Sequence, residues 1–84
     1  MLRIDTIENG GTALLKLEGR VMGAWVDEVR RSCRTALGRG VAVTLDLSAV
    51  SFVDPEGIVL LRELASRRVA LANTTPFIDA QLRG

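Results

Sequence analysis

Apolar and polar positions alternate from the start of the chain: Leu2, Ile4 and Thr6 fall on one side of an extended segment, Arg3 and Asp5 on the other. Asn9-Gly10-Gly11 supplies the turn chemistry of a hairpin. A second strand is predicted from about Thr12 to Val21, with Ala13, Leu15 and Leu17 facing one way and Lys16 and Glu18 the other. From Met22 the period lengthens. Met22, Trp25, Val26, Val29, Cys33, Ala36 and Leu37 share one helical face, and Asp27, Glu28, Arg30, Arg31 and Arg34 take the opposite one. This spacing puts Trp25 and Cys33 in the core, and Gly38 or Gly40 can end the helix in a left-handed conformation.

"VAVTLDL" (41–47) is β-branched and alternating, so it predicts a parallel strand reached by a right-handed crossover. Asp54-Pro55-Glu56 opens a second helix: Asp is a favoured N-cap, Pro fits the first helical position and Glu complements the dipole. At about 100° per residue, Leu60, Leu61, Leu64 and Ala65 form its apolar arc, with Ile58 at the margin. Val59 projects away from that arc, beside Arg62, Glu63 and Ser66. "VALA" (69–72) predicts a further short strand, and Thr75-Pro76 opens a last helix with Phe77, Ile78 and Leu82 as its apolar face. The order reads β-β-α-β-α-β-α, an α/β fold with a mixed β-sheet and helices packed mainly on one face, in a single domain over residues 1–84.

Composition narrows the function classes. Eleven Lys and Arg against ten Asp and Glu leave a net charge of +1, too weak a field to gather nucleic-acid phosphates. With one Cys and no His, an internal disulfide and a Cys/His metal site are excluded, and no side chain titrates near neutral pH as a general base. Ser-centred nucleophile signatures and glycine-rich phosphate loops are missing, so neither catalysis nor a cofactor is expected. The N-terminal stretch lacks a signal-peptide core, and no apolar run approaches the roughly 18 residues a membrane span needs. A cytoplasmic protein without membrane insertion is expected.

The element order, together with "LDLSAVSFVDPEGIVLLREL" (45–64), resembles the STAS family, the domain of bacterial anti-sigma factor antagonists and of some transporter subunits. In that family the strand is followed by a loop of the form Asp-Ser-Ser-Gly or Asp-Ser-Ala-Gly, and the helix it opens bears the surface that partners read. Asp54 and Gly57 keep the outer loop positions, whereas Pro55 and Glu56 replace the hydroxyl residues. The resemblance thus places Glu56 at the position a kinase would phosphorylate in an antagonist. It also implies a C-terminally shortened variant, since the family usually continues with another strand and helix.

By that resemblance a protein partner, an anti-sigma factor kinase, is bound through the 51–57 loop and the helix after it. Ser51, Asp54, Pro55, Glu56, Gly57, Val59 and Arg62 are the expected contact residues. Glu56 is either a partial mimic of phosphoserine, carrying about one charge where the phosphate carries nearly two, or simply a good helix-opening residue. Asp46 either holds the nearby loop by hydrogen bonds or faces solvent. The alternative reading is a STAS subunit of an ABC-type phospholipid transport complex that binds its ATPase. A nucleotide or lipid sensor is a third, without a pocket-forming signature to favour it. A sheet surface left uncovered by the shortened end would favour a homodimer.

Overall fold

The computed structural model describes residues 1–83. The first two strands, β1 (Leu2–Asn9) and β2 (Thr12–Val21), pair antiparallel around Gly10 and Gly11. Both glycines have positive φ, as a two-residue turn matched to strand twist requires. The chain continues through α1 (Ala24–Gly38), β3 (Ala42–Val53), α2 (Pro55–Ser66), β4 (Ala70–Ala72) and α3 (Pro76–Arg83). β3 lies parallel to both β2 and β4, and the sheet order is β1-β2-β3-β4. The element order is the one the hydrophobic pattern predicts.

One face of the sheet carries the core. Leu15 and Leu17 of β2 and Leu45 and Leu47 of β3 are fully buried against Val29 and Cys33 of α1 and Leu60 and Leu61 of α2. The other face leaves Lys16 and Glu18 exposed, with Thr44 and Asp46 partly covered. α3 packs on α2 and buries Ile78. Among the described residues no helix is long and apolar enough to cross a membrane.

Expectations for all three helices are corrected by packing. Trp25 is a third exposed instead of core: α1 begins only at Ala24, and its buried positions are Val26, Val29, Cys33 and Ala36, a narrower stripe that Trp25 flanks. Met22 precedes the helix and is also exposed. Ala65 of α2 faces solvent, while Ile58 at the supposed margin is buried. In α3 the buried position belongs to Ile78, with Leu82 partly covered and Phe77 left 54% exposed.

β3 departs from simple alternation for a reason written in its register. Lys16 pairs with Asp46 but Glu18 with Ala49, and Gly19 pairs with Val50 but Arg20 with Phe52. β3 therefore carries an extra residue twice, and its buried positions change from every second residue (Val43, Leu45, Leu47) to every third (Val50, Val53). Side chains hold both irregularities. The Asp46 carboxylate accepts from the Ser48 N–H at 2.9 Å and the Asn73 amide at 3.1 Å, bonds that hold its pKa below the usual carboxylate value. The Ser51 hydroxyl donates to the Gly19 carbonyl at 3.2 Å.

Cys33 is free and fully buried, and desolvation pushes its thiol up to about 11 from an ordinary 9.0. Because the folded value lies above the unfolded one, the neutral thiol's contribution is fully present below about pH 9 and is lost as pH rises through about 11. The urea midpoint of the wild-type protein is expected to fall over that window more steeply than that of Cys33→Ala. Parallel slopes would show that the thiol ionises as readily in the folded protein as in the unfolded chain.

Candidate functional site

The end of β3 feeds directly into α2, and Asp54 makes the junction. Its backbone is extended (φ −78°, ψ 171°), as an N-cap requires, and Pro55 occupies the first helical position. One carboxylate oxygen accepts from the Gly57 N–H at 2.7 Å, satisfying an otherwise unpaired donor of the first turn. The other accepts from the Gly23 N–H at 3.0 Å, and the Asp54 N–H donates to the Val21 carbonyl at 3.0 Å. Gly23 is the N-cap of α1 and, at φ 59°, has no side chain with which to cap its own helix. A single carboxylate thus ties the starts of both core helices to each other, and the Asp54 backbone N–H ties them to the end of β2.

Removing it should be felt in both places. Asp54→Ala, which loses both acceptors, is expected to cost about 1–2 kcal/mol, and Asp54→Asn, which keeps one acceptor oxygen but turns an NH2 toward the other N–H, part of that. Urea titration of the three proteins checks this. Equal midpoints for wild type and Asp54→Ala would mean the bridge contributes nothing net.

Gly57 shows why this corner admits no side chain. A β-carbon built there would lie 2.6 Å from Cγ1 of Val53, 3.0 Å from the Val21 carbonyl oxygen and 3.2 Å from the Asp54 carboxylate. The glycine lets the first turn of α2 sit directly on the ends of β2 and β3. Glu56, one position earlier, is exposed and adds a negative charge where the helix dipole favours one. Among the described residues its carboxylate accepts no hydrogen bond and makes no ion pair, the capping bond being taken by Asp54.

Around this turn the large apolar side chains stay in solvent. Phe52 (41% exposed), Val59 (59%) and Phe77 border a groove between α2 and α3 whose wall also includes Pro55 and Ala80. A second, smaller depression joins Phe52 to Met22, Arg20 and Ser51. The exposed large apolar residues fall into two groups: Met1 and Ile7 at β1, and Met22, Trp25, Phe52, Val59 and Phe77 around the N-terminal ends of α1 and α2 and the start of α3.

Sequence reasoning brings together Ser51, Asp54, Pro55, Glu56, Gly57 and Val59, and the structure sets them along one strand end and the first turns of α2. Arg62 stands differently from expectation. Its guanidinium donates to the carbonyls of Gln81 at 2.7 Å and Leu82 at 3.0 Å, closing the last turn of α3 where a cation suits the helix dipole. A charge reversal there would loosen α3, so Arg62 is no neutral probe of the surface. Phe52 and Phe77 are surface residues that sequence reasoning misses. Phe52 could have been found from its place between buried Val50 and Val53, but Phe77 depends on how α3 rolls onto α2.

The same architecture recurs in solved structures. The anti-sigma factor antagonist SpoIIAA in its unphosphorylated form superposes with a TM-score of 0.71 at 23% identity, over 99% of this chain and 82% of its own. The Bacillus cell fate determinant SpoIIAA in the phosphorylated form gives 0.67 at 21% identity, over 99% and 81%. An anti-sigma factor antagonist from Mycobacterium paratuberculosis gives 0.69 at 13% identity, over 100% and 96%. At these identities the likeness is one of fold. No curated protein matches the chain in sequence. The STAS domain model, however, matches residues 3–78, nearly the whole of the described fold, and the chain belongs to the STAS domain family.

Proposed function

We propose that this STAS domain is a non-catalytic interaction module of the antagonist kind, which binds a kinase-like anti-sigma partner through the 51–57 loop and the exposed side of α2. The observation that carries the reading is the grouping of exposed Phe52, Val59 and Phe77 around the carboxylate-capped start of α2. Contiguous apolar surface bordered by charge is the ordinary composition of a docking patch. Ser51, Asp54, Pro55 and Gly57 shape the loop, and Glu56 and Val59 meet the partner; Arg62 contributes indirectly, by fixing the α3 wall of the groove. That solved structures of the same fold are anti-sigma factor antagonists supports an anti-sigma factor as the partner class.

Glu56 stands where the antagonist loop carries its phosphate acceptor and cannot accept one. Its freedom from any capping duty supports a role outside the fold: a fixed charge that sets the partner's affinity at a constant value. The module would work in the cytoplasm and bear on transcription.

The test is Glu56→Ser, incubated with the captured partner and labelled ATP. The Ser variant is expected to take up phosphate and to bind the partner about tenfold differently from wild type. A Ser variant that is neither phosphorylated nor altered in affinity would sink the phosphomimic reading. If an ABC-type ATPase is captured in place of a kinase, the transporter-subunit reading takes its place on the same surface.

A further inference from the structure

The second group of exposed apolar residues lies on the edge of the sheet, away from the α2 surface. β1 is an outermost strand whose pairing with β2 runs without a slip from Leu2↔Gly19 to Asn9↔Thr12. It contains no Pro, no Lys and no bulge, and the charges on its open face, Arg3 and Asp5, are of opposite sign, so they do not by themselves repel a second strand. The Arg20 N–H donates to the Met1 carbonyl, so Met1 forms a hydrogen-bonded pair with β2, as do the alternate residues Arg3, Asp5 and Ile7. The N–H and C=O groups of Leu2, Ile4 and Thr6 consequently point outward. α1 packs over β2 and β3 and reaches β1 at its far end, where Arg39 forms an ion pair with Glu8.

We propose that this edge pairs antiparallel with β1 of a second copy, in the register centred on Ile4. An antiparallel edge pair with twofold symmetry keeps both helical layers on the same side and matches residues on the same face of the sheet. On the open face lie Met1, Arg3, Asp5 and Ile7; Arg3 and Asp5 form an ion pair within the chain at 3.1 Å, and Ile7 is 53% exposed. In the Ile4-centred register Arg3 meets Asp5 of the second copy and Asp5 its Arg3. Met1 meets Ile7 and Ile7 meets Met1, while Ile4 meets Ile4 on the helical face. Every exposed apolar residue of β1 then gains an apolar neighbour and every charge on these positions an opposite one.

The neighbouring registers do worse. Centring on Asp5 sets two like carboxylates face to face, and centring on Thr6 sets Asp5 against Ile7 and Ile4 against Glu8. The outward groups of Leu2, Ile4 and Thr6 complete the ladder in the favoured register. A contact one strand wide buries less than a standard interface, so the association is weak, with a Kd of roughly 100 µM, and salt-sensitive. This inference does not rest on the function proposed for α2.

Sedimentation equilibrium of the protein at concentrations from about 10 to 500 µM in low salt tests it, with the folded state of each variant checked by circular dichroism. Wild type is expected to dimerise reversibly. Thr6→Pro removes an outward N–H and none that bonds β2, and is expected to be monomeric throughout. Arg3→Asp and Asp5→Arg should each dimerise at least about tenfold more weakly, because each places like charges across the axis. Mixed in equal amounts they should associate with each other, since the two carboxylates of one variant then face the two guanidinium groups of the other. A monomeric wild type at the highest concentration, or an undiminished dimer in Thr6→Pro, would overturn the edge pairing. Failure of the mixture to associate would overturn the Ile4-centred register even if Thr6→Pro does not fold.

Discussion

Gly57→Ala is expected to lower stability by about 2 kcal/mol, although alanine is the better helix former. The new methyl group would meet Cγ1 of Val53, a buried β-branched side chain with little rotamer freedom, and the carbonyl of Val21, which already accepts from the Asp54 N–H. Relief requires α2 to lift from the strand ends, which would stretch the Asp54 bonds to Gly57 and Gly23 and loosen Ile58 and Leu61 beneath it. Overpacking of this kind costs about 1–3 kcal/mol, and the propensity gain of up to about 1 kcal/mol offsets only part. In a chain of this size a loss of about 2 kcal/mol corresponds to a Tm lower by roughly 8–16 °C. An unchanged or raised Tm would mean that the corner has room the geometry denies.

Val59→Asp is expected to leave the fold in place and to weaken partner binding by about 100-fold or more. Val59 is 59% exposed on α2, so its replacement removes little packing, and an added carboxylate in the N-terminal half of the helix does not oppose the dipole. Its effect would fall on the groove, where a charge would have to be desolvated against Phe52 and Phe77 when a partner docks. Binding titrations beside a thermal melt separate the two effects. A loss of affinity matched by a comparable fall in Tm would point to unfolding instead.

The elements are legible because each carries its own signal. Alternation marks β1 and β2, the 3.6-residue stripe marks α1, and Asp54-Pro55 and Thr75-Pro76 mark the starts of α2 and α3; Thr75 indeed accepts from the Ile78 N–H. The exposure of Trp25 escapes the pattern because periodicity assigns a face but not its width. The bulges of β3 are hidden for a related reason: they depend on pairing with β2, and only the change from two- to three-residue spacing at Leu47, Val50 and Val53 betrays them. For the site, the capping role of Asp54 follows from local sequence. Its bond to Gly23 and the reach of Arg62 to α3 join segments distant in the chain, so they become visible only with the fold.

In the proposed function, the surface around the start of α2 meets a protein partner. The deciding measurement is affinity capture from lysate of the native organism, with wild type, Val59→Asp and Glu18→Lys on the open sheet face run side by side. Wild type and Glu18→Lys are expected to recover the same kinase-like ATPase, and Val59→Asp, equally folded, to lose it. Recovery by Val59→Asp at the wild-type level, or loss with Glu18→Lys, would contradict the proposal and move the docking surface away from α2.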